Sequence, residues 1–318
     1  MRNLLRTLPG PAAAAGLRLA AVTRHPELVP PGVEAVLLQA RSQELRMAWS
    51  LPRLLGRLDA SLVHMQHALP LRCPCAAVVT IHDLSFERDA TAMGRRDRAI
   101  FRRVVPRAVR AARRVLAVSE RTRADLQDLY GVPDERIVVT PNGIDPAFTP
   151  GQAPAGEPYV LAVGTVERRK DHASALAAAR AAGLPLVVVG PVREPELAAE
   201  LERGGARLEG YVPTERLVEL VRGAVCLVQA SRYEGFGLPV VEAMACGTPV
   251  VCVDDPALVE ISGGACIVVP RERLAEGIAS ACAQRERLRS AGLERARAFS
   301  WEATAEATVR VYVEALGR

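Results

Sequence analysis

Short apolar runs alternate along the whole chain with longer stretches whose apolar positions recur every three to four residues. Strands buried on both faces read as continuous apolar runs, and the helices that cross between them read as amphipathic, so this alternation predicts parallel α/β sheets. In the first half it predicts strands at 17–22, 34–38, 61–64, 76–81, 115–118 and 136–139, and helices at 43–57, 95–113 and 120–130. The last of these helices opens on Ser119, a good N-cap, and stops at Gly131 and Pro133. The second half restarts the alternation, with strands at 159–163, 186–189, 207–209, 225–228, 249–253 and 266–269. Its helices fall at 171–182, 194–203, 214–222, 238–246 and most of 272–299, and a final helix at 301–316 follows Ser300 as N-cap. Between the halves, Pro146, Pro150, Gly151, Pro154, Gly156 and Pro158 break both periods. The expected division is a Rossmann-like domain at 1–148, a linker at 149–158, a second Rossmann-like domain at 159–300 and a terminal helix at 301–318. Ligands of such sheets bind beyond the carboxyl ends of the strands.

Composition narrows the class. At 318 residues the chain has room for two domains. It holds no apolar stretch of the roughly 18 residues that a membrane span needs. Arg2 and Arg6 precede the apolar run at 12–15, but Pro9, Gly10 and Arg18 interrupt it, which makes a helix end followed by a strand a better reading than a signal peptide. Cys73 and Cys75 form a C-x-C pair with no second pair at metal-ligand spacing. The remaining cysteines sit in apolar surroundings, so neither a disulfide framework nor a zinc site is expected, and a cytoplasmic location is.

Charge is unevenly spread. Residues 1–150 carry 22 Arg against 14 acids (+8), and 151–318 carry 19 basic residues against 22 acids (−3), which together make the net +5. Nine arginines and one acid, Asp97, fall in 95–114, where Phe101, Val105, Ala108 and Ala112 recur at helical spacing. An amphipathic helix with a basic face follows; that face is either simply solvated or meets an anionic membrane or substrate. With no stacking aromatics among these arginines, a nucleic-acid partner is not expected. Of 41 basic residues only Lys170 is a lysine, which points to a place where a compact charge is needed rather than a planar fork.

The strongest chemical signal is Glu234-Gly235-Phe236-Gly237-Leu238, with Glu242 one turn into the following helix and a Gly247-Thr248-Pro249 stop. Glycines after a strand let backbone approach a ligand, and amides at a helix start stabilise a phosphate. Carboxylates on either side of such a phosphate accept hydrogen bonds from hydroxyls at both ends of a sugar diphosphate. The second signal, Gly164-Thr165-Val166-Glu167-Arg168-Arg169-Lys170, follows the strand at 159–163 and places cations where a departing diphosphate needs them. The third is Thr80-Ile81-His82-Asp83 at another strand end; its histidine is a candidate partner for a sugar hydroxyl or acceptor, and otherwise a structural one. His64 and His67 lie near a strand end too. Pro141-Asn142-Gly143 is a turn that either only turns or faces the cleft. No D-x-D follows a strand and no histidines cluster, so no metal is expected.

Taken in order, T-I-H-D, P-N-G-I-D, G-T-x-E-x-R-K and E-x7-E resemble the retaining glycosyltransferases of family 4, mannosyltransferase-like subgroup, with the GT-B fold of two Rossmann-like domains facing across a cleft. The resemblance implies that Glu242 binds the nucleotide ribose, that Glu234 contacts the donor sugar, that Lys170 and Arg169 clamp the diphosphate, and that His82 contacts donor sugar or acceptor. With these stand Gly164, Thr165, Gly235, Phe236, Gly237 and Leu238 as donor-binding positions and Asp83, Asn142 and Gly143 as cleft positions. It further implies retaining, metal-independent transfer of a hexose, with mannose favoured, from a GDP- or UDP-linked donor to a glycan or lipid-linked acceptor in polysaccharide biosynthesis. No cofactor is implied beyond that nucleotide sugar. The enzyme would be cytoplasmic or peripheral at the inner membrane face, the arginines at 95–114 meeting anionic lipid. Two departures stand out. Thr165 occupies a place where many members have arginine, and the family's opening strand and Gly-rich loop are missing ahead of 1–6, so the first domain reads as truncated. A nucleotide-sugar-binding paralogue without turnover and a sugar-nucleotide epimerase are the alternatives.

Overall fold

The computed structural model describes residues 2–39 and 42–317; Met1 and Arg318, which bound the expected domains, lie outside the described residues, as do Ala40 and Arg41. The chain forms two compact units. One holds the chain up to Leu84, Arg95–Gly143 and the C-terminal segment from Ser300, and the other holds Ser85–Gly94 with Ile144–Phe299.

The first unit has two parallel sheets. β1 (Ala20–Thr23) pairs with β2 (Glu34–Leu37), and β3 (Leu62–Gln66), β4 (Ala76–Ile81), β5 (Arg114–Ala117) and β6 (Ile137–Val139) pair in chain order. The final helix, Trp301–Leu316, presents Ala305, Val309, Tyr312 and Ala315 to Val78 of β4 and Leu116 of β5. Leu4 and Leu8 from the short helices at the start of the chain complete that cluster. The strand expected from residue 17 begins only at Ala20, because the Leu17 N–H is spent on the Ala12 carbonyl (2.8 Å), which closes the preceding helix.

The helix expected at 43–57 is broken into a turn at Gln43–Leu45, a π-helical stretch at Arg46–Ser50 and a helix at Leu51–Arg57. Pro52 has no N–H to give to the preceding turn, so the regular ladder cannot run through it. The basic helix runs Arg95–Ala111 with Val105, Pro106, Ala108 and Val109 buried. Several of the nearby arginines have partners within the unit. Arg113 donates to the Ala315 carbonyl at 2.8 Å, Arg114 pairs with Glu314 at 3.2 Å, and Arg107 donates to the Leu71 carbonyl. Arg95, Arg96, Arg103 and Arg110 are exposed beside an exposed Ile100. No helix among the described residues is long and apolar enough to cross a membrane.

The second unit is a six-stranded parallel sheet made of β7 (Val160–Val163), β8 (Leu186–Val189), β9 (Arg207–Gly210), β10 (Cys226–Gln229), β11 (Val250–Val253) and β12 (Ile267–Val269). Every residue of β8, β10 and β11 is buried, which is why these runs show no polar alternation. The spatial order is β12-β11-β10-β7-β8-β9. The sheet therefore grows one way from β7 and then, from β10, the other way. Side-by-side pairing of Val160 with Cys226 and Leu161 with Leu227 puts the reversal between β7 and β10. Loops leaving the carboxyl ends of those two strands diverge to opposite faces and open a crevice there, where doubly wound sheets bind ligands.

Candidate active site

Both loops at this switch point carry the charged motifs. After β7 the chain passes Gly164 and Thr165 into a single 3-10 turn, Arg168–Lys170, and then a helix, His172–Ala181. After β10 it passes Ser231 and Glu234 to Gly237, which opens the helix Leu238–Cys246. Gly237 has φ 98° and ψ 51°, a left-handed backbone that disfavours side chains, and a Cβ there would stand 2.7 Å from a Leu258 methyl. No side chain caps this helix start, and Pro239 near its first turn has no N–H.

The two loops are bound to each other through Glu234. Lys170 Nζ donates to Glu234 Oε1 at 2.6 Å, and the Arg169 guanidinium lies 3.8 Å from Oε2. Arg169 also donates to the Tyr233 carbonyl at 3.0 Å, while the Arg232 N–H returns a bond to the Arg169 carbonyl at 2.8 Å. Glu167, 3% exposed, accepts from Arg169 at 2.8 Å and from Arg193 at 2.7 Å, so it fixes the direction of the Arg169 fork. Asp255 caps the helix Pro256–Ser262 with one oxygen and takes the Glu234 backbone N–H with the other, at 3.3 Å.

Burial alone would push the Glu234 carboxyl up. The Lys170 and Arg169 charges, with hydrogen bonds from Lys170 and Ser231, more than offset it, and its pKa lies below the ordinary 4.5. Glu242 meets the opposite surroundings. Burial, and then the charge of Asp145, push it up to about 8. Phe236 is a core residue, stacked edge-on against Phe299 at 5.7 Å between ring centres, whereas the Leu238 side chain is exposed.

Asp171 adopts φ 49° and caps the helix that follows it, held by Arg271 at 2.6 Å. His172 is buried with Nε2 at 3.2 Å from the Thr165 carbonyl; a carbonyl only accepts, so this nitrogen carries the proton. Thus the backbone of the motif at 164–170 is tied down at both ends. Gln229, Glu167, Asp255 and Arg271 were not singled out from the sequence as site residues. Gln229 and Asp255 had a signal there: a polar residue closing an apolar strand, and an aspartate directly before a proline-led helix.

The first unit gathers the other sequence candidates. A small cavity is lined by Gln66, Thr80, His82, Thr140, Asn142 and Trp301, at the carboxyl ends of β3, β4 and β6 and the start of the last helix. Burial and the nearby His67 lower the His82 imidazole to about 4, so it is neutral at physiological pH. The rings of His67 and His82 are 5.5 Å apart, and His67, past the end of β3 with φ 56°, has its buried Nδ1 without a hydrogen-bond partner. His64 is structural: its ring nitrogens meet the Tyr312 hydroxyl at 2.6 Å and Thr80 Oγ1 at 2.7 Å. Asp83 follows β4 directly before the turn of helix Ser85–Arg88. Asn142 is 9% exposed. Gly143 serves packing, since a Cβ there would stand 2.3 Å from the Trp301 backbone nitrogen.

This geometry can be set beside known proteins. Residues 9–148 match Glycosyltransferase Family 4 and residues 145–298 match Glycosyl transferases group 1. The O-antigen chain mannosyltransferase B of Escherichia coli is 31% identical over 268 residues, 74% of this chain and 70% of that protein. The chain belongs to glycosyltransferase family 4. A second relative of this transferase, the D-inositol 3-phosphate glycosyltransferase of Nocardiopsis dassonvillei, is 31% identical over 241 residues, 64% of this chain and 56% of its own length. Among solved structures, a sucrose-phosphate synthase from Thermosynechococcus elongatus superposes with a TM-score of 0.76 at 23% identity, covering 97% of this chain and 92% of that one. The Anabaena protein Alr3699/HepE, solved with UDP and glucose, superposes with a TM-score of 0.72 at 15% identity, over 98% and 95% of the two chains. These likenesses establish the fold of this family 4 enzyme as GT-B, with two Rossmann-like units.

Proposed function

We propose that the enzyme transfers a hexose, mannose by preference, from a nucleotide-sugar donor to a glycan or lipid-linked acceptor, with retention at the anomeric carbon and without a metal. One observation carries this reading: Lys170 and Arg169 are held together at the switch point, against Glu234 and beside a helix start that no side chain caps. An ammonium, a guanidinium and backbone amides at 236–238 supply the positive field that a divalent cation supplies elsewhere to a leaving diphosphate.

In the proposed reaction the donor diphosphate lies between the turn at 168–170 and the helix start at 238. Glu234 accepts from donor-sugar hydroxyls, and Glu242 accepts from the ribose. The bond between the anomeric carbon and the phosphate oxygen breaks as Lys170 and Arg169 take up the charge. The acceptor oxygen bonds to the anomeric carbon from the face the diphosphate leaves, and its proton passes to a donor phosphate oxygen. His82, neutral by virtue of burial, serves as a hydrogen-bonding partner for sugar or acceptor rather than as a charged acid. The mannose preference rests on the likeness to a protein named for mannosyl transfer, and the exposed arginines of Arg95–Ala111 favour an acceptor at an anionic membrane surface.

The test is transfer measured with GDP-mannose and UDP-hexoses. Lys170→Ala and Glu234→Ala are each expected to cut kcat by about 10²–10³, as when one preorganised charge-stabilising group is removed. Unchanged rates in both folded variants would refute the assigned roles.

A further inference from the structure

Gln229 ends β10 and is 3% exposed. Its Nε2 lies 3.0 Å from Ser231 Oγ and 2.6 Å from Glu234 Oε1. A carboxylate only accepts, so the amide must turn its nitrogen toward Glu234. Lys170 Nζ donates to the same oxygen at the same distance, 2.6 Å. Two donors therefore converge on one oxygen, but they are not equivalent. Lys170 is a full charge on a flexible stem, attracted to any phosphate that enters. Gln229 is neutral, short and seated at the end of a buried strand, and a phosphate has no charge there to pull.

We propose that Gln229 is a positioning residue: it keeps the Glu234 carboxylate in place when an incoming diphosphate draws Lys170 away. This rests on the donor-site reading of Lys170 and Glu234 given above. A carboxylate buried to 6% exposure that loses its nearest cation either keeps a donor or takes a proton and turns away. With Lys170 gone, Arg169 stands at 3.8 Å and Ser231 nearby. The Gln229 N–H then holds the ionised form without adding a charge that would compete for the phosphate.

The experiment follows the Glu234 carboxyl by ¹³C NMR in protein labelled at glutamate carboxyls, assigned by its loss in Glu234→Gln. Gln229→Leu is compared with wild type, with GDP or UDP present; Gln229→Met serves as a second, closer isostere should the leucine fail to fold. The titration midpoint is expected to rise by about one pH unit in the variant, and by more with nucleotide than without. The acid limb of kcat should move with it while KM changes little, a split that loss of packing alone does not produce. A nucleotide-free arm compares Lys170→Met with Lys170→Met/Gln229→Leu, where the mutation removes the lysine instead of a phosphate. A higher midpoint in the double variant supports the positioning role even where neither nucleotide binds, which would sink only the donor reading. Identical midpoints in that pair, or in wild type and Gln229→Leu with nucleotide bound, overturn the proposal.

Discussion

Glu234 and Glu242 stand eight positions apart and are driven in opposite directions by their surroundings. For Glu242 this has a consequence for stability. Its ordinary value is 4.5 and its folded value about 8, so between these the native protein keeps a proton that the unfolded chain releases. Stability from this group is complete below about 4.5 and is lost as pH rises through 8. Glu242→Gln removes the dependence. The melting temperature of the variant should fall less than that of wild type between pH 6 and 9, by a few °C (about 2–4 °C per kcal/mol). Parallel melting curves across that pH range would rule this out. At this scale the two motif glutamates, Lys170 and Arg169 were legible in the sequence because their spacing to a strand end is local. The fate of His64 was not, because its partner Tyr312 lies 248 residues away. Nor was the convergence of Gln229 and Lys170 on one oxygen, which requires two strands to be neighbours.

At the scale of elements, apolar period found the strands of the described residues to within a few residues, most plainly where the run is wholly buried, as in β8, β10 and β11. It failed where one backbone hydrogen bond decides, as at Leu17, and where Pro52 interrupts a ladder inside an otherwise helical pattern. The helix Arg95–Ala111 shows what a charge run conceals: Arg107, Arg113 and Arg114 are engaged within the unit, and the free-standing basic face is narrower than the composition implies. Arg95, Arg96 and Arg103 are among those that remain exposed, so the proposed contact with an anionic membrane is tested on them. Each is worth about 1 kcal/mol at an anionic surface. Co-sedimentation with phosphatidylglycerol vesicles is expected at low salt and not with phosphatidylcholine, and should be lost on replacing all three with glutamate. Equal sedimentation of wild type and triple variant would assign the face to solvent alone.

For the whole molecule, the decisive feature is the strand order of the second unit. The reversal between β7 and β10 delivers the loop of Lys170 and the loop of Glu234 to one crevice, although 64 residues separate them in the chain. Two α/β halves could be read from the alternation of runs, but strand order could not, because period says what is a strand and not which strand it adjoins. The membership of family 4 and the pairing of Lys170 with Glu234 thus converge on a single claim, that this crevice grips a nucleoside diphosphate. Thermal unfolding of the wild type and of Lys170→Ala, each with and without millimolar GDP or UDP, tests it most directly. One of the two nucleotides should raise the melting temperature of the wild type by several degrees, as binding at about 100 times Kd stabilises by roughly 2.7 kcal/mol, and should leave Lys170→Ala almost unprotected. No protection of the wild type by either nucleotide, or equal protection of both proteins, would contradict it.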